Sequence, residues 1–376
     1  MRIAIDARAF SWAGIGRYTR NLLLGLARQP SSHQFIVLLN EKDWPFFTAF
    51  QAESLSDKFS SHIVEGSYYS WQEQTKLLWQ LRQVPADLFH FTHFNVPLLF
   101  SRPYVVTIHD VTRFIFPGQK RQDLWQQVAY ELVFKRALER AQSLICVSAT
   151  TRNDLRQLPL SLPRDVQIIP EGVDDQFNRP VTVALRHKVR IMLDTTDPYL
   201  LYVGVWMSHK NLLRLLEAFA LTLKRHPHLR LVMTGKPKPG YSNILHATRK
   251  LKIEHNVIFT GFVPPALLPA LYAEATCFIF PSLYEGFGLP PLEAAACGVP
   301  VITSNVSSLP EVMAKAAYYV NPEYVPDIAQ GIAAVLRDSL LRNQLIAAGH
   351  ARVRQFSWTK AAAEHLTLYE QSMSVL

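Results

Sequence analysis

Short apolar runs alternate with segments of helical periodicity along the first half of the chain. The runs are RIAIDA, FIVLLN, DLFHFT, VVTIHD and SLICVS, and helical segments are predicted near 17–27 and 124–140. Runs of this length separated by helices predict parallel strands joined by crossover helices. The first half is therefore expected to form an α/β domain.

The second half repeats this alternation with the runs YLLYVG, LRLVMTG, VIFTGF, TCFIFP, VPVITS and AAYYVN. Helical segments are predicted at 211–225 and after Pro290. Between the halves, 170–198 contains no clean strand, and we place a linker near 180–195. The pattern predicts a second α/β domain with its own parallel sheet.

These elements predict an N-terminal domain at 1–182, a second domain at 195–355 and a C-terminal helix at 356–376. The helix carries Trp358 and Tyr369 on an apolar face. That face must be buried, either on the second domain or back on the first.

The composition fits this organisation. A chain of 376 residues with 49% hydrophobic and 18% charged residues can bury two cores, which excludes a disordered protein. Three widely spaced cysteines indicate reduced thiols rather than a metal or redox motif. We find neither a signal-peptide pattern nor an apolar run of about 18 residues, and so predict a cytoplasmic protein.

The net charge of +9 suggests an anionic partner. The basic clusters could contact phosphates or an anionic membrane surface, although solvated helix faces are the simpler alternative. We find no zinc-finger, RNP-type or helix-turn-helix signature, so nucleic acid is not expected. The clusters are Lys120 with Arg121, Lys135 and Arg136 with Arg140, and Arg249 and Lys250 with Lys252.

Ligands of open α/β sheets bind outside the carboxyl ends of the strands, so the loops there are the candidate site. After the first strand, Gly14 and Gly16 would allow positive φ and close backbone approach, or simply form a tight turn. After VVTI, His109 could hydrogen-bond a ligand, or be structural. A zinc site at His90 and His93 would need a third ligand that we cannot place.

In the second half, Lys210 precedes a predicted helix. A cation beside free backbone amides predicts a phosphate site, although an exposed lysine is the alternative. KPKPGY, which begins at Lys236, forms a second basic loop, and FVPPALL contains no catalytic group.

The most informative segment is LYEGFGLPPLEAAACG. Pro290 and Pro291 suit the first turn of a helix that Gly298 would end. Glu285 then lies in the preceding loop and Glu293 about one turn into the helix. Paired carboxylates could perform acid/base catalysis. Here they flank a helix N-terminus that favours an anion, so they are better suited to accepting hydrogen bonds from hydroxyls around a phosphate.

The segment SLYEGFGLPPLEAAACGVPVITSNVSSLPEV resembles the glutamate-x7-glutamate signature of retaining family 4 glycosyltransferases. AGIGRY, TIHD, CVSATTRNDL, PEGVD, YVG with HKN, and FTGFV occur in the family's order, so the resemblance covers nearly the whole chain. It implies the GT-B architecture, in which two Rossmann-like domains with parallel sheets face each other.

The resemblance also implies roles for individual residues. His109, Glu285 and Lys210 are the implied catalytic set, with His109 near the reaction centre and Glu285 beside the donor-sugar hydroxyls. Glu293 would accept hydrogen bonds from the ribose. Main-chain atoms near Val263 would contact the base. The other implied donor-binding residues are Gly14, Gly16, Ser208, His209, Gly235, Lys236 and, through the backbone of the turn, Gly286, Phe287, Gly288 and Leu289.

The chain departs from the family in the expected phosphate clamp. Many relatives have arginine after the YVG glycine, where this chain has Val205, or Arg-Lys-Asn before the helix, where it has His209, Lys210 and Asn211. His209 or Lys236 is the candidate to replace the missing cation.

The resemblance implies retaining transfer of a hexosyl group, most simply mannose from GDP-mannose, to a cell-surface or lipid-linked saccharide. The chain has no Asp-x-Asp, so neither a metal nor another cofactor is expected. The enzyme would be cytoplasmic and peripheral on the inner face of the membrane. The alternatives are a UDP-sugar-dependent glucosyl- or galactosyltransferase, a sugar-nucleotide epimerase or phosphorylase, a nucleotide-binding protein without transferase activity, and two-carboxylate glycosidase chemistry.

Overall fold

A computed structural model describes residues 1–66, 68–116, 124–235 and 243–374 of the chain. The chain divides into two compact units. The first comprises Met1–Val111, Gln119–Gly172 and Phe356–Leu376, and the second comprises Thr112–Gly118 and Val173–Gln355. The C-terminal helix therefore belongs with the first half of the chain, the second of the two placements that its apolar face allowed.

A parallel sheet forms the centre of the first unit. Its seven described strands have the order β3-β2-β1-β4-β5-β6-β7, which reverses direction between β1 and β4 as in doubly wound folds. The strands are β1 (Arg2–Asp6), β2 (Gln34–Leu39), β3 (Phe59–Ile63), β4 (Leu88–Phe91), β5 (Tyr104–Ile108), β6 (Ser143–Cys146) and β7 (Asp165–Ile168).

Helices connect these strands. They are α1 (Ile15–Ala27), α2 (Trp44–Ser54), α3 (Leu78–Gln83), α5 (Leu124–Glu139) and α6 (Ala149–Gln157), while α4 (Thr112–Ile115) is grouped with the second unit.

The last helix, α15 (Trp358–Ser374), packs on α1. His365 Nε2 lies 2.7 Å from the Tyr18 hydroxyl, and the Tyr369 hydroxyl lies 2.7 Å from Nδ1 of His90. These side chains are buried, so α15 is fixed to the first unit by polar contacts as well as apolar ones.

The second unit has a parallel sheet of six described strands in the order β10-β9-β8-β11-β12-β13, reversing between β8 and β11. Its strands are β8 (Tyr199–Tyr202), β9 (Arg230–Thr234), β10 (Val257–Gly261), β11 (Cys277–Phe280), β12 (Val301–Ser304) and β13 (Tyr318–Val320). Its later helices are α7 (Val183–Leu193), α8 (Leu212–Leu223), α9 (Asn243–Lys250), α10 (Leu268–Ala273), α11 (Leu289–Ala296), α12 (Leu309–Met313), α13 (Val325–Arg337) and α14 (Ser339–Val353).

The predicted linker at 180–195 is wrong, because most of it forms α7. Thr182 caps this helix by accepting a hydrogen bond from the Leu185 amide at 3.3 Å. Arg190 donates to Glu274 at 2.9 Å and Val189 is fully buried, so α7 is an integral part of the second unit. The second unit also starts before the predicted boundary at 182, since Val173 already belongs to it.

The cysteines are free thiols, as predicted. Cys146 and Cys277 are buried and Cys297 is partly exposed. Burial raises the pKa of Cys146 to about 12, so this thiol stays protonated and unreactive near neutral pH. Within the part of the chain that the structure describes, no helix is both long and apolar enough to cross a membrane.

Candidate active site

The centre of the second unit's sheet brings together two predicted site residues. Strands β8 and β11 are neighbours where the strand order reverses, and the loops after them carry Lys210 and Glu285. Lys210 Nζ donates to both carboxylate oxygens of Glu285, at 2.6 and 2.8 Å. Residues 75 positions apart in sequence therefore form one ion pair at the carboxyl edge of the sheet.

This ion pair is mostly shielded from water. The side chain of Lys210 is 15% exposed and that of Glu285 is 11% exposed. The ammonium group also lies 5.4 Å from the centroid of the Phe280 ring. The exposed-lysine alternative is thus wrong, and an anion that binds here would share the Lys210 cation with Glu285.

A short 3-10 turn, Ser208–Lys210, sets the direction of the lysine. Asn211 follows in the left-handed region, with φ of 61°, and its side-chain amide donates to the carbonyls of Pro281 at 3.0 Å and Pro322 at 2.6 Å. This buried amide ties the start of α8 to the loop after β11. His209, the proposed substitute for arginine, is 6% exposed, and its carbonyl accepts from the Leu283 amide.

Two serines hold the Glu-Gly-Phe-Gly loop. The Ser308 hydroxyl lies 2.9 and 2.8 Å from the carbonyl oxygens of Glu285 and Phe287, which share its single proton. The Ser307 hydroxyl donates to the Glu285 carbonyl at 2.6 Å and accepts from the Glu285 amide at 3.1 Å. Because these hydrogen bonds satisfy the carbonyls of Glu285 and Phe287, they hold the loop backbone in place without a ligand.

The loop ends at the start of α11. Gly288 has φ of 107°, a conformation that favours glycine, and a Cβ there would lie 2.8 Å from Leu309 Cδ2. Prolines occupy the first turn, and Gly298, with φ of 73°, follows the end of the helix as predicted.

Glu293 lies on α11 in a buried position. It is 1% exposed, and the Tyr272 hydroxyl donates to its Oε2 at 3.0 Å. The sequence predicts two carboxylates that accept hydrogen bonds from a ligand, whereas the structure pairs a largely shielded Glu285 with Lys210 and buries Glu293 on α11. Contact between Glu293 and a ribose stays a prediction.

The remaining predicted residues of this unit occupy neighbouring strand ends. Gly235 has φ of 92° after β9, and a Cβ there would overlap the Gly204 carbonyl, so glycine is needed for packing. Its amide donates to the Gly261 carbonyl at 2.8 Å. Val263 follows β10 with a buried side chain. Lys236 and the rest of KPKPGY lie outside the described residues.

In the first unit, His109 follows β5 and is held on both sides. Its Nε2 lies 3.0 Å from the Thr92 carbonyl and its Nδ1 lies 3.4 Å from Glu171 Oε1. Both neighbours are hydrogen-bond acceptors, so an imidazolium, with two N–H groups, satisfies both. The rings of His109 and Tyr18 are nearly perpendicular, at 88°, with their centroids 4.7 Å apart. This edge-to-face contact further fixes the orientation of the His109 ring.

These contacts favour the charged form of His109. Burial alone would lower its pKa, but the hydrogen bond and charge of Glu171, with smaller contributions from Thr92 and Asp110, outweigh burial and raise the pKa. The sequence did not point to Glu171, which lies 62 positions later in the PEGVD segment.

We expect Glu171→Gln to destabilise the protein more at acidic than at alkaline pH. The raised pKa of His109 contributes stability that is complete below the unfolded-state pKa of about 6.5 and is lost as pH rises through the folded-state value. Melting temperatures between pH 5.5 and 9 should therefore differ most between wild type and variant at the acidic end. In a His109→Gln background the same substitution should have a pH-independent effect; an equal pH dependence there would contradict the assignment.

The glycine loop differs from the prediction. Neither Gly14 nor Gly16 has positive φ, and Gly16 lies inside α1, which starts at Ile15. A Cβ on Gly16 would overlap the carbonyl oxygens of Ala9 and Phe10, whereas a Cβ on Gly14 meets no atom within 4 Å. Gly16 is therefore explained by helix packing, and only Gly14 offers open backbone.

His90 lies within β4 and His93 follows the end of that strand. His90 is fully buried, with Nε2 2.8 Å from the Thr107 hydroxyl, and burial lowers its pKa well below the ordinary value. Burial lowers the pKa of His93 to about 3. Among the described residues, no group of three or more histidine, cysteine or acidic side chains could hold a metal ion.

Comparisons with known proteins agree with this division of the chain. Residues 12–177 match the family model described as Glycosyltransferase Family 4, and residues 186–352 match the one described as Glycosyl transferases group 1. O-antigen chain mannosyltransferase B of Escherichia coli is 32% identical over 299 residues, which cover 78% of this chain and 76% of that relative. The chain belongs to glycosyltransferase family 4.

A second relative of this glycosyltransferase is longer. Serotype-specific mannosyltransferase WbdA of Escherichia coli is 30% identical over 239 residues, covering 61% of this chain but only 28% of that relative. The match therefore concerns one part of WbdA.

Solved structures show the fold of the glycosyltransferase. Sucrose-phosphate synthase from Thermosynechococcus elongatus superimposes with a TM-score of 0.80 at 22% identity, covering 100% of both chains. Anabaena HepE, solved with UDP and glucose, has a TM-score of 0.78 at 17% identity and covers 99% of this chain and 100% of its own. The two parallel-sheet units and the helical C-terminus constitute the GT-B fold.

In this glycosyltransferase the predicted site residues are divided between the two units. Lys210, Glu285 and the Gly-Phe-Gly turn are brought together within one unit. His109 is anchored in the other unit by Glu171. Ser307 and Ser308 were not predicted, although they follow directly in the segment SNVSSLPEV, where two adjacent hydroxyls after a strand were the available signal.

Proposed function

We propose that the protein transfers mannose from GDP-mannose, with retention of configuration, to a cell-surface or lipid-linked saccharide. The observation that carries this proposal is the 32% identity over 78% of the chain to a relative named as an O-antigen chain mannosyltransferase. A peripheral position on the inner membrane surface would give the enzyme access to such an acceptor.

The chemistry of the second unit supports binding of a nucleoside diphosphate. Lys210 supplies a cation, and the Gly288 and Leu289 amides lie at the N-terminus of α11, where an anion is favoured. Glu285 lies beside this anion position and can accept hydrogen bonds from sugar hydroxyls. We propose that, when the donor binds, the Lys210 ammonium group donates a hydrogen bond to phosphate in place of one that it now donates to Glu285. The carboxylate can then accept a hydrogen bond from a sugar hydroxyl.

In the proposed reaction, the acceptor hydroxyl attacks the anomeric carbon from the face that the diphosphate leaves. The bond between the anomeric carbon and the phosphate oxygen breaks with its electrons going to that oxygen, which then takes the acceptor's proton. Lys210 and the α11 N-terminus stabilise the negative charge on the departing diphosphate. We propose that this requires no metal ion, since the sequence has no Asp-x-Asp and Lys210 supplies a positive charge.

The donor can be identified by thermal stabilisation. GDP is expected to raise the melting temperature more than UDP or ADP at the same concentration, because the nucleotide that binds most tightly stabilises the folded state most. A ligand at about 100 times its Kd stabilises the folded state by about 2.7 kcal/mol. Release of GDP from GDP-mannose should then require a saccharide acceptor and should continue in EDTA.

Other results would redirect the proposal. Stronger stabilisation by UDP would indicate a UDP-sugar donor, and loss of turnover in EDTA would contradict metal independence. Conversion of the nucleotide sugar without any acceptor would favour an epimerase or a phosphorylase. Nucleotide binding without turnover of any donor would leave a binding protein.

A further inference from the structure

Two adjacent serines between β12 and α12 depart from the usual preferences of their positions. Ser307 has φ of 59°, in the left-handed region that residues other than glycine rarely adopt. Ser308 is the N-cap of α12, where a serine hydroxyl ordinarily accepts from an amide of the first helical turn, but its side chain makes no such bond. Each serine therefore gives up local stability, and a compensating contact is expected elsewhere.

The compensating contacts are made with the loop after β11. The Ser307 hydroxyl accepts from the Glu285 amide at 3.1 Å and donates to the Glu285 carbonyl at 2.6 Å. The Ser308 hydroxyl lies 2.9 Å from that carbonyl and 2.8 Å from the carbonyl of Phe287. We call Ser307 and Ser308 the serine clamp. Through these bonds the clamp holds the backbone of Glu285 on both its amide and its carbonyl side.

The left-handed conformation of Ser307 indicates a role beyond packing. Glycine would adopt this conformation without strain, but glycine has no hydroxyl. Serine here accepts backbone strain in return for two hydrogen bonds to a single residue. That residue carries the carboxylate that is paired with Lys210. Strain of this kind is concentrated at functional sites, where the surrounding contacts hold a group in one position.

We propose that Ser307 is a positioning residue for sugar transfer and acts through Glu285. Glu285 is held at both ends, by the serine clamp at its backbone and by Lys210 at its carboxylate. When a diphosphate takes a hydrogen bond from Lys210, the clamp still fixes the backbone that directs the carboxylate at a sugar hydroxyl. This inference rests on the proposed function, because the sugar beside Glu285 belongs to the proposed donor.

Two substitutions at Ser307 separate positioning from stability. Ser307→Gly relieves the left-handed backbone and removes the hydroxyl, so its melting temperature should stay near that of wild type while kcat falls about tenfold to 100-fold. Ser307→Thr keeps the hydroxyl but places a β-branched residue in the left-handed region, so it should lower the melting temperature and retain most of kcat. Stability and turnover should thus rank these two variants in opposite orders.

Binding provides a measurement that does not depend on transfer. The clamp acts on the group that faces the sugar, so Ser307→Gly should raise the Kd of GDP-mannose about tenfold and that of GDP less than about twofold. UDP-glucose and UDP replace this pair if wild type binds them instead. Asp194→Gly is the matched control, because Asp194 is exposed at the end of α7 with φ of 49° and glycine relieves the same conformation there. Neither Kd should change in that variant.

Specific results would overturn the role of Ser307. These are wild-type kcat in Ser307→Gly, an equal loss of affinity for the sugar nucleotide and the nucleoside diphosphate, or an equal loss of kcat in the glycine and threonine variants. A wild type that binds a sugar nucleotide but transfers nothing would contradict the proposed function instead. The two Kd values would then still decide whether the clamp positions Glu285.

Discussion

Replacing Lys210 with methionine is expected to lower kcat/KM for sugar transfer by about 100-fold to 1000-fold. Methionine retains an unbranched apolar stem but lacks the ammonium group that both Glu285 oxygens accept from. Without this cation, neither the bound diphosphate nor the charge that develops as it leaves would be stabilised from the β8 side. The loss should therefore affect both donor affinity and kcat.

The same substitution should also reduce stability. Glu285 is only 11% exposed, so removing Lys210 leaves a largely shielded carboxylate without this ion pair. We expect a cost of about 2 kcal/mol, below the about 3–5 kcal/mol typical of a fully buried pair. Glu285→Gln combined with Lys210→Met should restore part of the stability but none of the activity, because only the unbalanced charge is removed.

Initial rates with purified protein and nucleoside-diphosphate titrations check this prediction. Lys224→Met is the matched control, since Lys224 is an exposed lysine at the other end of α8 and should tolerate the change. Donor affinity of Lys210→Met within about threefold of wild type, or about 0.7 kcal/mol, would show that the ammonium group is not part of the phosphate site.

Most strands of both sheets were predictable from the sequence, including the edge strands β10 and β13 of the second unit. All six strands of the second unit and the five inner or near-inner strands β1, β2, β4, β5 and β6 coincide with the apolar runs. Strands covered by helices on both faces are apolar at consecutive positions, so a continuous apolar run in the sequence indicates a buried strand. This physical link explains why the fold class followed from the pattern alone.

The strands that the pattern missed lie at the sheet edges. β3 and β7 are the outermost strands of the first unit's sheet. The residues of β7 are all partly exposed, and those of β3 are mostly so, which leaves FSSHI and DVQI without an apolar run. An edge strand pairs on one side only and is less completely covered, so its side chains can be polar, as they are in β3 and β7 but not in the edge strands β10 and β13.

The misassigned helix α7 has a different explanation. Its segment VALRHKVRIML has helical spacing and follows a capping threonine, but it comes after a long stretch without a strand and begins with the β-branched Val183. The absence of a strand before Tyr199 indicated a linker, whereas the cap at Thr182 was the available signal for a helix. Glu274, which binds Arg186 and Arg190 from α10's C-terminal end, is 80 or more positions away and could not be paired from sequence.

The candidate site was predictable in location and less so in contacts. The rule that ligands bind at the carboxyl ends of strands selected the loops with Lys210 and Glu285, and the resemblance assigned them to a nucleotide sugar. Neither source indicated that they pair with each other, nor that Ser308 holds the Glu285 loop. These contacts depend on which strands become neighbours, and that is set by the order of the whole sheet.

The two glycines of the AGIG segment should respond very differently to alanine. Alanine is the better helix former by about 1 kcal/mol, so Gly16→Ala would be stabilising on helix propensity alone. A Cβ at this position, however, overlaps the carbonyl oxygens of Ala9 and Phe10, and backbone atoms cannot move aside as a side chain would. We expect a net loss of about 2–4 kcal/mol in the free energy of unfolding.

Gly14→Ala is the matched comparison. Gly14 has φ of −84°, and a Cβ there meets no atom within 4 Å, so the free energy of unfolding should change by less than about 1 kcal/mol. Denaturant titration of both variants measures this difference, and equal tolerance of both substitutions would contradict the packing explanation of Gly16. If Gly14→Ala keeps its stability but loses transfer, the backbone at Gly14 meets a ligand, as the resemblance implies. If it keeps both, the glycine loop is explained by the packing of α1 alone.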